Sequence, residues 1–252
     1  VGVLEGKTAL IVGASSGLGT HFSKLLACEG AKIAIAARRL DRLEALAEEI
    51  AKAGGQAFPL AMDVTDNGSV EDAIDQADEA LGGISILLNN SGVAGARAAI
   101  DTDETEWDRI IDTNLKGAWF VARKTAKCMI ARGAGGSIIN TGSILAFRTQ
   151  KGTMPYGVSK AGLVQMTKML AAEWARYGVR VNAIAPGYIE TDLNREFLHS
   201  EMGQAMIQAI PQRRFGEPGD LDGVVLLLAG DVSAYVTGVV IPVDGGHTLM
   251  LA

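Results

Sequence analysis

The sequence predicts an α/β fold: one doubly wound domain with a seven-stranded parallel sheet and helices on both faces. Three observations lead there. Seven short apolar runs rich in Val, Ile and Ala recur along the chain, each pair is separated by enough residues for a helix, and the first run enters a glycine-rich loop followed by helical periodicity. The 252 residues suit one large domain of this class, and no linker, repeat or low-complexity tract divides them, so residues 1–252 are read as a single unit.

The first strand is expected over residues 7–12, leading straight into Gly13-Ala-Ser15-Ser16-Gly17-Leu18-Gly19. Strand, glycine loop and helix in that order make a phosphate cradle. The first glycine permits a tight turn, the second lets backbone approach a pyrophosphate, the third allows close helix packing, and the helix N-terminus offers unpaired N–H groups. The spacing Gly-x-x-x-Gly-x-Gly departs from the more familiar Gly-x-Gly-x-x-Gly fingerprint of Rossmann-type dinucleotide sites, and a plain structural turn is the alternative reading. The second strand is expected over 32–37, followed by a helix over 40–53 whose Leu and Ile repeat on one face and which Gly54-Gly55 stops. Further strands are expected over 57–61, 84–89, 137–141, 179–185 and 239–243. Residues 101–132 read as two helices in series, interrupted at Thr113-Asn114, where a side-chain amide competes with the helical ladder. Residues 188–216, which combine helical periodicity with Pro211 and Arg213-Arg214, follow a strand end and are expected to form a substrate lid within the domain.

Composition narrows the function classes. Hydrophobic residues make up 48% of the chain and charged residues 21%, enough apolar content for a sizeable core. A net charge of -6 gives no general attraction to nucleic acid or anionic membrane, and no apolar run approaches the length of a membrane span. The segment 1–6 is too short for a secretory signal, and a cytoplasmic location is expected. Cys28 and Cys128 lie far apart in helical patterns and are expected to be buried free thiols, while His21, His199 and His247 lack metal-ligand spacing, so no metal is assigned.

Chemistry enters with Tyr156 and Lys160, four residues apart in Tyr156-Gly-Val-Ser-Lys160 and so on one helix face. A phenol near pKa 10 is a poor base at neutral pH, and an adjacent cation stabilises the phenolate and is expected to lower that value. Ser143, thirteen residues upstream in Asn140-Thr-Gly-Ser143, follows the strand at 137–141 and offers a hydroxyl to a substrate carbonyl.

These residues together resemble the short-chain dehydrogenase/reductase family, in its compact single-domain form, over nearly the whole chain. Gly13 to Gly19 is similar to the family's coenzyme loop and Asn89-Asn90-Ser-Gly92 to its usual Asn-Asn-Ala-Gly. Asn114 is similar to its helix asparagine, Ser143, Tyr156 and Lys160 to its catalytic set, and Pro186-Gly187 with Thr191 to its nicotinamide-side segment. Val12 stands where many members have threonine, and Ser91 replaces an alanine; neither change touches a catalytic group. The resemblance implies hydride transfer between a nicotinamide and a carbonyl or secondary alcohol. In it Tyr156 is the general acid/base, Lys160 also holds the nicotinamide ribose, and Asn114 anchors a proton-relaying water. It further implies that Asp63 and Val64 bracket the adenine, that Asn90 lines the coenzyme cleft, that Ile189 and Thr191 border the nicotinamide, and that the protein is a homotetramer. Two long helical stretches (101–132 and 154–177) and the last strand with its apolar tail would build that assembly.

Coenzyme choice can be read locally. An acidic residue at the end of the second strand would bind a ribose 2′-hydroxyl and repel a 2′-phosphate, whereas this chain has Ala37-Arg38-Arg39 there. NADP(H), held by Arg38 foremost with Arg39 and Ser15, is therefore expected, NAD(H) being the alternative. The expected substrate wall is Val93, Ala94, Ile144, Leu145, Ala146, Tyr188, Leu193, Phe197 and Met206. This mostly apolar set suggests a hydrophobic ketone or secondary alcohol. A rival reading is a 3-oxoacyl carrier-protein or coenzyme A reductase, with Arg123, Lys124, Lys127 and Arg132 as a basic surface for the acyl carrier. A non-catalytic NADP-binding regulator is a third, disfavoured because tyrosine, lysine, serine and asparagine are all present.

Overall fold

Residues such as Ala9, Leu10, Ile11 and Val12 are all fully buried, whichever way each points. Strands of this kind are covered on both faces, so their sequences read as continuous apolar runs. The computed structural model, which describes residues 2–191 and 194–250, places seven such strands in one parallel sheet of order β3-β2-β1-β4-β5-β6-β7. They are β1 (Thr8–Val12), β2 (Lys32–Ala37), β3 (Gln56–Ala61), β4 (Ile86–Asn89), β5 (Gly136–Thr141), β6 (Val179–Pro186) and β7 (Val240–Val243). Each expected strand is present, with ends displaced by no more than two residues.

The helices are α1 (Gly17–Cys28), α2 (Leu40–Lys52), α3 (Asn67–Leu81), α4 (Glu104–Ile111), α5 (Ala118–Ala131), α6 (Met154–Trp174), α7 (Arg195–Leu198), α8 (Glu201–Ile207) and α9 (Asp222–Ala229). Alternate strand residues feed two cores. Ile11, Ile33, Leu88, Ile139 and Ile184 pack under α1, α2 and α9, whereas Leu10, Ala34, Leu87, Ile138 and Val181 pack under α3, α5 and α6. Helix α2 shows the cause in miniature: Leu43, Leu46 and Ile50 are its buried residues, spaced three and four apart, and Gly54 follows with φ +89°.

The strand order reverses beside β1. The chain runs outward through β2 and β3, then returns to β4 on the other side of β1, leaving a crevice at the carboxyl ends of β1 and β4. Val12 pairs with Asn89 at that end, and the Asn90 N–H donates to the Val12 carbonyl at 3.0 Å. The interruption expected at Thr113-Asn114 is a π-helical turn, Asp112–Gly117, joining α4 to α5. Residues 188–216 form an excursion that leaves and returns at one point, since Glu190 N–H donates to the Gly216 carbonyl and Gly216 N–H to the Tyr188 carbonyl. Leu198 and Ile210, nearly inaccessible, root this excursion in the body of the protein.

One expectation is corrected by packing. Cys28 is exposed and Cys128 only half-buried, rather than both being buried. Helix α1 turns Phe22, Ser23, Leu26 and Ala27 inward, and Cys28, a further 100° round the helix from Ala27, falls outside that stripe. Among the described residues no helix is long and apolar enough to cross a membrane.

Candidate active site

The coenzyme end of the crevice is built from backbone that only small residues permit. Gly13 adopts φ +83°, and a Cβ there would lie 2.7 Å from the Ser91 nitrogen; a Cβ on Gly19 would lie 2.0 Å from the Gly13 carbonyl oxygen. The loop is therefore pressed against β4's exit on one side and its own helix on the other. Thr20 tightens it, its hydroxyl donating to the Ala14 carbonyl at 2.9 Å. Ser16 precedes α1 without capping it, and no acidic residue occupies the first turn, so the N-terminal N–H groups of a twelve-residue helix face the crevice without a side-chain partner. That is a fit for a pyrophosphate.

Beside the loop, Arg39 Nη2 donates to both Ser15 Oγ and Ser16 Oγ at 3.0 Å. Arg38 is exposed on the same rim, and its charge reaches Asp63. Burial raises the Asp63 pKa, but hydrogen bonds from the Thr65 N–H (3.0 Å) and hydroxyl (2.8 Å), with the Arg38 charge, hold it below the ordinary carboxylate value. The guanidinium tied to the glycine loop thus belongs to Arg39, while Arg38 lines the same cleft.

At the other end, β5 and α6 bring the reactive groups together. Ser143 begins a short turn after β5, its Oγ accepting from Leu145 N–H at 3.1 Å. Tyr156 and Lys160 project from one face of α6, with the Lys160 Nζ 5.6 Å from the centre of the Tyr156 ring. Lys160 is 4% exposed, and its Nζ donates to the Thr141 carbonyl at 2.7 Å. Burial lowers its pKa from 10.5 to about 8.

The phenol does not behave as the spacing alone suggests. Burial pushes the Tyr156 pKa above its usual value, and the Ser143 hydroxyl only partly opposes this. The Lys160 ammonium donates its hydrogen bond to the Thr141 carbonyl and not to the phenol. Burial thus outweighs the Ser143 hydrogen bond, and in this state Tyr156 holds its proton.

Asn114, completely buried in the π-helical turn, acts as a clasp. Its Oδ1 accepts from Val93 N–H at 2.8 Å, and its Nδ2 donates to the Val93 carbonyl at 2.9 Å and to Ser159 Oγ at 3.1 Å. The side chain thus joins the loop after β4 to α6. Gly92 lies between this amide and the lysine: a Cβ on it would be 3.5 Å from Asn114 Oδ1 and 3.6 Å from Lys160 Nζ.

One cleft of about 610 Å³ collects most of these residues. Gly13, Ser15, Ser16, Gly17, Leu18, Arg38, Arg39, Asp63, Val64, Asn90, Gly92, Ser143, Tyr156, Lys160, Pro186, Gly187, Ile189 and Thr191 all line it; Gly19 and Asn114 stand behind the wall. Of the expected substrate wall, only Val93, Ala94 and Tyr188 line the cleft. Ile144 is buried beneath Ser143, Leu145 is half-buried, Phe197 is exposed on α7 and Met206 is half-buried on α8, while Leu193 lies outside the described residues. Leu198 is the buried residue of α7, and its inward position anchors the excursion without facing the cleft.

Sequence reasoning missed Thr141 and Asn194. Thr141 lines the cleft with a buried hydroxyl that has no protein partner, and its place at the end of β5, two residues before Ser143, is the signal that was available. Asn194 accepts from Thr191 N–H at 2.7 Å and donates to the Ile189 carbonyl at 2.8 Å, which shapes the segment that leaves β6.

Comparison with known proteins agrees with this geometry. Residues 13–248 match the family described as Enoyl-(Acyl carrier protein) reductase. The chain is 37% identical over 243 residues to the 3-oxoacyl-[acyl-carrier-protein] reductase of Thermotoga maritima, covering 96% of this chain and 98% of that protein. A solved short-chain type dehydrogenase/reductase from Mycobacterium marinum is 40% identical with TM-score 0.93, covering 98% of this chain and 97% of the other. A solved Agrobacterium tumefaciens protein with bound NADP, provisionally named a 2-deoxy-d-gluconate 3-dehydrogenase, is 36% identical with TM-score 0.90, covering 98% of each chain.

Proposed function

We propose, for a chain that belongs to the short-chain dehydrogenase/reductase family, that it is an NADP(H)-dependent oxidoreductase interconverting a carbonyl and a secondary alcohol. The observation that carries this is the convergence of Ser143, Tyr156 and Lys160 with the glycine loop and two arginines in one cleft. The uncapped α1 N-terminus and the close-packed glycines fit a pyrophosphate. The Arg39–Ser15–Ser16 cluster beside Arg38 supports a 2′-phosphate. When bound, the nicotinamide supplies or accepts hydride at the substrate carbon.

The chain's own residues do the rest. Tyr156, protonated in this state, donates its proton to the carbonyl oxygen as negative charge develops there, and Ser143 donates a hydrogen bond to the same oxygen. Lys160, with a pKa of about 8, carries positive charge at neutral pH and stabilises the phenolate left behind. Asn114 keeps the Val93 loop and α6 in register, so the substrate side of the cleft holds its shape. The segment 188–216 is read as the lid.

Among the rival readings, the acyl carrier-protein reductase takes support from the Thermotoga relative's name. Its docking surface is weakened here: Arg123 pairs with Glu71 at 3.1 Å, Lys124 with Asp75 at 2.6 Å and Arg132 with Asp78 at 2.5 Å, which leaves that face largely neutralised. The exposed apolar residues Trp119, Val158 and Met169 on α5 and α6, and Val232 and Leu249 near β7, support the homotetramer expected from the family.

The testing experiment is Tyr156→Phe. Turnover with NADPH and a ketone panel should fall by about a thousandfold, while NADPH affinity, read by fluorescence titration, stays within about threefold. Retained turnover would reject the assignment.

A further inference from the structure

Resting on the hydride-transfer reading above, we infer that the substrate is a hydroxylated carbonyl compound, one of whose hydroxyl groups is read jointly by Tyr188 and Gln150. Thr141 on β5 pairs with Ile184 on β6, so the two chain continuations, toward Ser143 and toward Pro186, leave the sheet side by side. Tyr188 follows Pro186-Gly187 and lines the same cleft as Ser143 and Tyr156. Gln150 sits in the loop between Ser143 and Tyr156. The Tyr188 hydroxyl donates to Gln150 Oε1 at 3.3 Å in an exposed contact, linking the two loops at the cleft's edge.

The pair is polar in a particular way. The Tyr188 ring is held by Phe215 (centroids 6.3 Å apart, edge-on) and His247 (5.7 Å, tilted), which fix where its hydroxyl points. With that hydroxyl donating to the amide oxygen, the phenol oxygen remains free to accept and the Gln150 amide nitrogen, which has no partner among the described residues, remains free to donate. Turning the amide over exchanges these roles and still leaves one donor beside one acceptor. An alcohol group both donates and accepts, so it completes the pair; a methylene chain satisfies neither atom. Burial raises the Tyr188 pKa, which keeps the phenol protonated through the working pH range. The same argument separates this site from one made for an unsubstituted acyl chain.

The experiment measures NADPH oxidation by the full chain with ketone pairs in which hydroxyl replaces methyl: hydroxyacetone against butanone, and 2-hydroxycyclohexanone against 2-methylcyclohexanone. The unsubstituted protein should favour the hydroxylated member by about tenfold or more in kcat/KM in at least one pair, and Tyr188→Phe, which keeps the ring packing, should reduce that ratio below about threefold. Gln150→Leu, on an exposed side chain that folding does not need, should reduce it likewise. Turnover with a flat ratio in both pairs, or a ratio that survives both substitutions, overturns this inference alone. No oxidation of NADPH with any of the four ketones overturns the carbonyl reduction and this inference together.

Discussion

Lys160→Met should make the coenzyme-free protein more stable at neutral pH while abolishing its turnover. The side chain is 4% exposed, has no acidic partner among the described residues, and has its pKa lowered by burial from 10.5 to about 8. At 1.36 kcal/mol per unit, that difference corresponds to about 3 kcal/mol lost on folding to keep the charge inside. Below about pH 8 both folded and unfolded chains bind the proton, and the penalty is complete. Between about 8 and 10.5 the unfolded chain binds more proton than the folded one, so stability rises with pH as the penalty disappears. Methionine fills similar space without charge but leaves the Thr141 carbonyl without its donor, which costs about 1 to 2 kcal/mol. The variant should therefore gain about 1 to 2 kcal/mol near neutral pH, and the sign should reverse above about pH 10. Urea unfolding followed by circular dichroism, at matched protein concentration and a series of pH values, measures this. A variant that is less stable near neutral pH, or a difference independent of pH, would refute the reasoning.

Two further substitutions test other parts of the site. Arg38→Asp places negative charge on the rim beside Arg39 and should lower the NADPH-to-NADH ratio of kcat/KM by about tenfold or more, measured with one ketone under saturating conditions; an unchanged ratio counts against a 2′-phosphate site there. Asn114→Leu leaves both Val93 backbone groups and the Ser159 hydroxyl without their buried partner, and should cost about 3 kcal/mol in urea unfolding as well as most of the turnover; a loss below about 1 kcal/mol would show that the clasp is dispensable.

The order in which Lys160 acts follows from these numbers. A buried amine with a pKa of about 8 carries charge at neutral pH but at a cost, and that cost is relieved when negative charge forms on Tyr156. The stored penalty is thus returned when the phenolate appears, which is the sense in which a destabilised residue serves turnover.

Much of the fold was legible from the chain because its cause is local or repetitive. Apolar residues run almost continuously in β1 and β2 because helices cover both faces of the sheet, and α2 announces its inner face by Leu43, Leu46 and Ile50. The break at Asn114, the glycine loop and the four-residue step from Tyr156 to Lys160 are likewise written in short spacings. What tertiary structure alone decided depends on groups distant in sequence. The proton of Tyr156 is held by desolvation, Lys160 turns to the Thr141 carbonyl, and Arg39 rather than Arg38 grips the glycine loop. Met206 and Phe197 stay off the cleft wall, and Tyr188 meets Gln150 across a sequence separation of 38. Periodicity reports which face of an element is inward; the dielectric around a charge and the partner of a hydrogen bond are properties of the assembled space between elements.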